Sequence, residues 1–367
     1  MVTRRQLLAG ITIAASLPAM ARAAPGAPAL IIDGLTGVDD PDGKEGDFTL
    51  SPRGLKQYHE SGLSVIQVTV GEVGNERSSW DATLANIGTY GRVIDANPGV
   101  FSLARTAADS RAAKAAGRIA IIYGTQDTAM AGLDLDRLDT LGGLGVRVVQ
   151  LTYNLRNLSG DGALEPANAG LSKLGRATIE RIEANKQLLD LSHGGQRTIA
   201  EAIAAAKRPM TISHTGCRSL HDNPRNVWDA ELKAMANKGG VVGIYWMPFL
   251  VQGSKATAAD LVRHMRHAVN ICGEDHVGIG TDGGLSKTII NAKARAQQAK
   301  FFKDRTARGI AAPGEGPNVF NIVADLDSHL RFHKLAEALA KDGWPAARID
   351  KVMGVNLLRL YTDVWSG

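Results

Sequence analysis

Short apolar runs alternate with amphipathic segments along most of this chain. Eight runs of four or five residues are apolar on nearly consecutive positions, which is typical of strands that are covered on both faces. They span residues 29–33, 65–69, 119–123, 148–152, 188–192, 210–213, 241–245 and 277–281. Helical patterns lie between most of them, for example at 51–61, 174–186, 198–206 and 257–270. Eight successive strand–helix units predict an α/β fold of the (β/α)8 barrel type.

The main alternative architecture, a doubly wound parallel sheet, lacks its usual signature. Such a sheet often has a glycine-rich phosphate-binding turn between its first strand and first helix. Here the corresponding stretch contains only Gly34 and Gly37, without the required spacing and without a helix directly after it. No Pro- or Ser-rich linker interrupts residues 24–367. We therefore predict a single barrel domain over that range.

Two neighbouring predicted strands each end in a Ser-His pair, Ser192-His193 and Ser213-His214. The 21 residues from one histidine to the other leave room for a single helix between two parallel strands. Such an arrangement places two imidazoles side by side at the rim of the sheet, which suits a metal ion that takes nitrogen ligands. The alternative is a pair of structural histidines held by hydrogen bonds.

The first 23 residues have the features of an export signal. Arg4 and Arg5 precede an apolar stretch at 7–17, and Ala21-Arg22-Ala23 offers a cleavage site with small residues. This pattern predicts a twin-arginine signal peptide over residues 1–23 and a periplasmic or secreted mature protein. The apolar stretch is too short for a stable membrane span, although an uncleaved anchor is the alternative.

The charge balance does not indicate a nucleic-acid-binding protein. The formal net charge of +5 includes three arginines of the predicted signal, without which 39 basic residues face 37 acidic ones. One basic segment, residues 293–308, stands out. Such a run is usually a solvated helix face, and the alternative is a surface that receives an acidic substrate or an anionic layer. The oligomeric state is not determined by the sequence, and a homodimer stays open.

Polar side chains also follow other predicted strands. Gln126 follows the strand at 119–123, Tyr153 and Asn157 follow the strand at 148–152, and Asp282 follows the last strand. Because active-site groups of a barrel gather at the carboxyl ends of its strands, we expect these side chains to face the two histidines. An aspartate there is well placed to act as a general base.

Several of these segments together resemble the membrane (renal-type) dipeptidases, a branch of the amidohydrolase superfamily of metal-dependent barrels. The resemblance runs from about residue 31 to residue 365. Its motifs are Gly145-Val146-Arg147, Gln150-Leu151-Thr152-Tyr153-Asn154, Asp190-Leu191-Ser192-His193, Ser213-His214, Pro224-Arg225-Asn226, Gly239-Gly240-Val241-Val242-Gly243, Gly278-Ile279-Gly280-Thr281-Asp282 and Gly354-Val355-Asn356-Leu357-Leu358-Arg359.

The resemblance implies a site for two zinc ions, from which this chain departs. In the family, a His-x-Asp pair after the first strand binds one metal, and a glutamate after the third strand bridges both. Here Leu35 and Gly37 occupy the positions of the pair, and Gln126 stands in place of the glutamate. Tyr153 replaces a family histidine near the substrate. We therefore expect the first metal site to be empty.

The resemblance then implies a metal-dependent hydrolase that cleaves an amide bond of a dipeptide or similar carboxylate-bearing substrate, with water activated by a single zinc ion. A catalytically inactive binding protein, and a hydrolase or lyase of altered chemistry in a biosynthetic pathway, are the alternatives. The expected roles are a zinc ion held by Gln126, His193 and His214; Asp282 as base; Tyr153 as donor to the oxyanion; and Arg225, Asn157 and Tyr245 in substrate binding.

Overall fold

Nine parallel strands form a single sheet in the computed structural model, which describes residues 28–73 and 79–366. The predicted signal peptide lies outside the described residues. The strands are β1 (Ile32–Thr36), β2 (Val65–Thr69), β3 (Phe101–Leu103), β4 (Ile119–Thr125), β5 (Val146–Gln150), β6 (Leu188–Asp190), β7 (Thr211–Thr215), β8 (Val241–Ile244) and β9 (Val277–Ile279). Eight of them are neighbours in the order β1-β2-β4-β5-β6-β7-β8-β9.

Helices connect and cover the strands. They are α1 (Pro52–Glu60), α2 (Ser79–Ala96), α3 (Ala107–Ala115), α4 (Asp136–Gly143), α5 (Lys173–Ala184), α6 (Gln196–Ala205), α7 (Asp229–Asn237), α8 (Ala258–Cys272), α9 (Ala292–Ala307), α10 (Arg331–Lys341), α11 (Ala346–Asp350) and α12 (Asn356–Trp365). None of the helices within the described ranges has the length and apolar character needed to cross a membrane.

Contacts between the first and last strands close the sheet into a barrel. The Thr36 hydroxyl donates to the Gly283 carbonyl at 2.5 Å, and the Asp282 N–H donates to the Leu35 carbonyl at 2.8 Å. The predicted (β/α)8 barrel is therefore confirmed. The ninth strand, β3, was not predicted because its short run Phe101-Ser102-Leu103 is interrupted by a polar residue. It pairs with the first half of β4, whereas β5 pairs with the second half.

Glycines allow very close approach of strands near the carboxyl end of the barrel. A Cβ atom on Gly243 or on Gly280 would lie 1.9 Å from the Ser213 carbonyl oxygen, and one on Gly34 would lie 2.9 Å from the Ile279 oxygen. The first strand spans residues 32–36, three residues later than the predicted 29–33. It continues through Gly34 and Thr36 because a strand in such close backbone contact does not need an apolar side chain at each position. This packing brings β1, β7, β8 and β9 together below the site.

Several helices begin directly after a side chain that caps their first turn. Ser51 accepts a hydrogen bond from Gly54 N at 3.0 Å ahead of α1, with Pro52 at its first position. Thr257 and Asp260 form a reciprocal capping box at the start of α8. Such caps satisfy the free N–H groups of the first turn. Helix α9 differs from the others because it has no fully buried residue.

Candidate active site

The two Ser-His pairs bring His193 and His214 together at the carboxyl ends of β6 and β7. The ring centroids are 4.8 Å apart with an interplanar angle of 62°, and both side chains are buried. His193 directly follows the turn after β6 and has a left-handed backbone with φ 62°. Such a conformation is uncommon outside glycine, and it is often found at functional positions, where it directs a side chain.

The hydrogen bonds of Asn154 define the tautomer of His193. Asn154 Nδ2 donates to the Ile310 carbonyl at 2.7 Å, so its Oδ1 is the acceptor atom. That Oδ1 lies 2.6 Å from His193 Nδ1, which must therefore carry the proton. The lone pair of His193 is left on Nε2.

A relay of two side chains defines the tautomer of His214 in the same way. The Ser213 hydroxyl donates to Asp190 Oδ2 at 2.5 Å, and its oxygen lies 2.8 Å from His214 Nδ1. Because the hydroxyl proton is already donated to the aspartate, His214 Nδ1 is the donor in the second bond. His214 also presents its lone pair on Nε2.

Neither Nε2 atom has a hydrogen-bond partner among residues 28–73 and 79–366, although both are buried. Burial, reinforced by the charge of Arg225, holds the pKa of both imidazoles well below the usual value, so both rings are neutral. Two neutral imidazoles with fixed Nδ1–H groups and free Nε2 lone pairs are the donor set that a transition-metal ion such as zinc takes from histidine. The residues present therefore fit a metal ion at this pair.

Further unsatisfied polar atoms surround the histidines. Six of the twelve buried side-chain polar atoms without a partner in the described chain lie at or just after the carboxyl ends of β4 to β8. They belong to Thr125, Gln150, Thr152, His193, His214 and Trp246. Buried polar groups normally have partners, so a concentration of exceptions marks a place that receives a ligand, an ion or ordered water.

The remaining predicted metal ligand, Gln126, is less well placed. Its Nε2 donates to Thr69 Oγ1 at 2.8 Å, and no hydrogen bond reaches its Oε1 from the described residues. No hydrogen bond joins its side chain to either imidazole within the described ranges. No group of three or more His, Cys, Asp or Glu side chains there is arranged to hold a metal. Of the family's first-metal positions, Leu35 is buried and apolar, and Gly37 has no side chain.

Arg225 is a buried cation beside the histidines. Its side chain is almost inaccessible, and no carboxylate in the described chain forms an ion pair with it. The loop that carries it is fixed by a local hydrogen bond, in which the Arg225 N–H donates to the side-chain Oδ1 of Asn223 at 2.9 Å. Tyr245 lies beneath it, with its ring centroid 6.0 Å from the guanidinium carbon and its hydroxyl donating to Asn226 at 2.5 Å. An unpaired buried guanidinium is a receptor for an anion.

Asp282 follows β9 and faces this cation. It also has a left-handed backbone, with φ 55°, and its side chain is partly buried. Burial raises the pKa of its carboxyl to about 6, while the charges of Arg225 and Arg305 oppose that increase. A carboxylate with a pKa near 6 is suited to accept and return a proton near neutral pH.

Tyr153 stacks on His193, with ring centroids 4.1 Å apart and an interplanar angle of 23°. Its hydroxyl oxygen accepts a hydrogen bond from Arg305 Nη1 at 3.1 Å. Burial raises the pKa of this phenol, against the charge of Arg305, so the hydroxyl keeps its proton at neutral pH. It can therefore donate a hydrogen bond into the pocket.

Asn157, by contrast, is engaged by its own loop. Its Nδ2 donates to the Leu151 carbonyl at 3.0 Å, and its Oδ1 accepts from Ser159 N and Gly160 N. These bonds use the amide fully, and its role in substrate binding stays a prediction without structural support.

Four residues that support the site were not predicted from the sequence. Asn154 and Asp190 stand inside recognised motifs, but only their contacts show that they orient the two histidines. Arg305 and Glu315 are far from the other site residues in sequence and belong to no motif. Their buried ion pair, at 2.6 Å, carried no signal in the sequence.

The protein is a parallel barrel with two neighbouring histidines, each with a free Nε2 lone pair, at the carboxyl ends of its strands. This architecture places it in the class of the amidohydrolase-like enzymes. The sequence profile of the membrane dipeptidases, peptidase family M19, matches residues 54–294. The chain therefore belongs to the membrane dipeptidase family.

Individual relatives agree with this assignment. The chain is 28% identical over 307 residues to the dipeptidase ataJ of Aspergillus terreus, an alignment that covers 77% of this chain and 67% of the relative. It is 29% identical to the dipeptidase verJ of Clonostachys rogersoniana, covering 62% of this chain and 59% of the relative. The crystal structure of an amidohydrolase from Pseudomonas aeruginosa superposes with a TM-score of 0.78 and 31% identity, covering 92% of this chain and 97% of that one.

Proposed function

We propose that this protein is a metal-dependent hydrolase that cleaves an amide bond of a dipeptide or a similar small substrate with a carboxylate. The observation that carries the proposal is the pair of free Nε2 lone pairs on His193 and His214, which lies beside an unpaired buried arginine. A pair of structural histidines would have its ring nitrogens satisfied by protein groups. Here only the Nδ1 side of each ring is satisfied.

His193 and His214 would hold one metal ion, with Gln126 as an additional neutral ligand. A zinc ion supplies Lewis acidity at this position when it is bound. The side chains of Leu35 and Gly37 offer no ligand atom, so we propose one metal ion per chain rather than two.

The chain's own residues then divide the remaining work. Arg225 binds the substrate carboxylate with its guanidinium fork, which forms no direct ion pair with a carboxylate of the described chain. Asp282 accepts a proton from the attacking water and returns it to the leaving amine. Tyr153 donates a hydrogen bond from its phenolic hydroxyl to the carbonyl oxygen as negative charge develops there. Tyr245 forms the floor beneath the bound carboxylate.

We propose export as the setting of this activity, on the basis of the twin-arginine pattern in residues 1–23. A periplasmic or secreted hydrolase would meet small peptides outside the cytoplasm.

A second candidate, a binding protein without turnover, is favoured by one specific observation. The part of the chain that the structure describes contains no group of three His, Cys, Asp or Glu side chains able to hold a metal. Such a protein would retain Arg225 as an anion receptor and would lack hydrolytic activity.

Metal analysis together with hydrolysis assays on a panel of dipeptides, with and without added zinc, separates the two candidates. We expect one metal ion per chain and zinc-dependent hydrolysis. His193→Ala should retain well below one ion per chain after dialysis and lower activity by at least about 100-fold. His59→Ala is the matched control because His59 is exposed on α1. Binding of a dipeptide without hydrolysis in the zinc-loaded wild type would support the binding protein, and two tightly bound ions would contradict the single-metal site.

A further inference from the structure

Helix α9 carries one basic residue that behaves differently from its neighbours. Lys293, Arg295, Lys300, Lys303 and Arg308 are exposed, as the predicted solvated face requires. Arg305 departs from that prediction, since only 12% of its side chain is accessible. It points from the helix toward the active site, where its Nη1 reaches Tyr153.

Arg305 is held rigidly by a second buried residue. Its Nε and Nη2 donate to the two carboxylate oxygens of Glu315 at 2.6 and 2.7 Å, and Nη2 also donates to the Ile310 carbonyl at 3.0 Å. Glu315 is in turn fixed by the Ala312 N–H at 2.8 Å. A two-point guanidinium–carboxylate pair of this kind restricts the orientation as well as the position of the arginine.

The same segment is attached directly to the loops of the site. Asn154, which orients His193, donates to the Ile310 carbonyl at 2.7 Å. Asn223, which fixes the loop of Arg225, donates to the Pro313 carbonyl at 2.7 Å. Residues 305–315 therefore form a strap across the barrel mouth. This strap contacts Asn154, which orients His193, and Asn223, which fixes the loop of Arg225.

The hydrogen bond from Arg305 determines what the Tyr153 hydroxyl can do. A phenol oxygen has one proton to donate, and here its accepting side is occupied by Arg305. No acceptor among the described residues takes the phenolic proton. The ring is also held by stacking on His193. The phenolic proton is therefore available to an acceptor on a bound molecule.

We infer that Arg305, held by Glu315, is a positioning residue that orients the Tyr153 hydroxyl toward the substrate's carbonyl oxygen. The inference rests on the proposed function, in which Tyr153 stabilises the oxyanion. Arg305 does not itself bind the substrate carboxylate, because its fork is already occupied by Glu315. The fork of Arg225, by contrast, forms no ion pair with any carboxylate that the structure describes. Arg305 and Glu315 also lie beyond residues 54–294, the part matched by the family profile.

The test is a double-mutant cycle with Arg305→Met and Tyr153→Phe. Loss of one oxyanion donor costs about 100-fold in kcat, so we expect that reduction for Tyr153→Phe. Arg305→Met should lower kcat about tenfold with KM within about twofold, because it misdirects the same donor. The double variant should be no slower than Tyr153→Phe alone. Lys303→Met, which removes an exposed charge from the same helix, is the control and should leave kcat unchanged.

Multiplied losses in the double variant, or a change in KM alone for Arg305→Met, would overturn the inference. Thermal unfolding identifies a variant that does not fold. In that case Arg305→Lys, which keeps the charge but not the fork, should give a smaller loss with the same dependence on Tyr153.

Affinity for a phosphinate mimic of a dipeptide, measured by calorimetry, provides a readout without turnover. We expect about tenfold weaker binding for Arg305→Met in the wild-type background and no further loss in the Tyr153→Phe background. If the wild type hydrolyses no dipeptide but shows this pattern, the proposed function fails and the inference stands. If the wild type does not bind the phosphinate, the inference is overturned.

Discussion

Two regions of the barrel, β6–β7 and β1–β9, each contain a buried aspartate on one strand, Asp190 on β6 and Asp33 on β1. Each aspartate binds the residue that precedes a predicted site residue of the neighbouring strand. At β6–β7, Asp190 Oδ1 accepts from Ser192 N at 2.9 Å and Ser213 N at 3.0 Å, and its Oδ2 accepts from the Ser213 hydroxyl at 2.5 Å. The residue after Ser213 is His214.

The arrangement at β1–β9 is the same, atom for atom. Asp33 Oδ1 accepts from Leu35 N at 3.2 Å and Thr281 N at 2.8 Å, and its Oδ2 accepts from the Thr281 hydroxyl at 2.6 Å. The residue after Thr281 is Asp282. In both regions one buried carboxylate therefore joins the two strands and sets the position of the next side chain.

The two regions differ in the side chains that this support serves. At β6–β7 it orients a histidine with a free lone pair, next to a second one on the same rim. At β1 the positions that would supply metal ligands hold Leu35 and Gly37, although Asp33 is kept. The comparison predicts that the aspartate hydrogen bonds that position a barrel site are separable from the metal ligands at that site. The ligands can change while the hydrogen bonds remain.

The strongest test of this separation is to restore ligands at β1 with Leu35→His, Gly37→Asp and Gln126→Glu together. A Cβ added at Gly37 would meet nothing within 4 Å, so the aspartate has room. Because the support by Asp33 is intact, we expect metal content to rise from one ion per chain to two, measured by elemental analysis after dialysis. The control is the variant with Leu35→Asn, Gly37→Asn and unchanged Gln126, which should stay at one. A content of one for the restored variant would show that β1 has lost more than its ligands.

A second experiment compares the two supporting aspartates directly. Asp190→Ala and Asp33→Ala each leave buried N–H and hydroxyl donors without an acceptor, so each should lower the free energy of unfolding by about 2–4 kcal/mol, measured with urea. Only Asp190→Ala should also weaken zinc binding, by about 10- to 100-fold, because it releases the serine that orients His214.

Calorimetric titration with zinc measures the difference between these variants, and Asp33→Ala should remain within about threefold of the wild type. Equal losses of zinc affinity in the two variants would contradict the assignment of the histidine ligands to β6–β7.

The sequence predicted the barrel and the histidine pair because both depend on local patterns. Consecutive apolar residues define β2, β4 and β8 almost to the residue, and strand ends place His193 and His214 on one rim. The strand β3 was missed because Ser102 interrupts its short apolar run, whereas the equally short β6 and β9 lie within longer apolar runs.

Long-range contacts could not be predicted in this way. Tyr153 and Arg305 are 152 residues apart, and nothing in the basic segment distinguishes Arg305 from the exposed lysines around it. Asn154 was visible in a motif, but its role depends on a carbonyl 156 residues away that fixes its amide. Interactions of this kind depend on the three-dimensional fold rather than on local periodicity.

The smallest expected effect is on pH dependence, and it distinguishes the two carboxylates that flank β9. Burial raises the pKa of Asp282 and of Asp33 to about 6 in each case. Asp282 must be ionised to accept a proton, so kcat/KM should decrease as the pH falls through about 6, by about tenfold per pH unit below it. Asp33 has a folded pKa above its unfolded value, so its protonated form favours the folded state. This contribution is complete below about pH 4 and is lost as the pH rises through about 6.

In Asp33→Ala, the free energy of unfolding should therefore decline less steeply between about pH 4 and 6. The decrease of kcat/KM at acidic pH should keep its midpoint, because Asp282 is still present. Asp282→Asn should do the reverse, removing at least about 100-fold of activity while much of the pH dependence of stability remains with Asp33. Rate profiles and urea titrations across the same buffers measure both quantities. A midpoint that moves toward 4 in Asp33→Ala would mean that the proton acceptor depends on Asp33 electrostatically, and the two regions would then be coupled by charge as well as by hydrogen bonds.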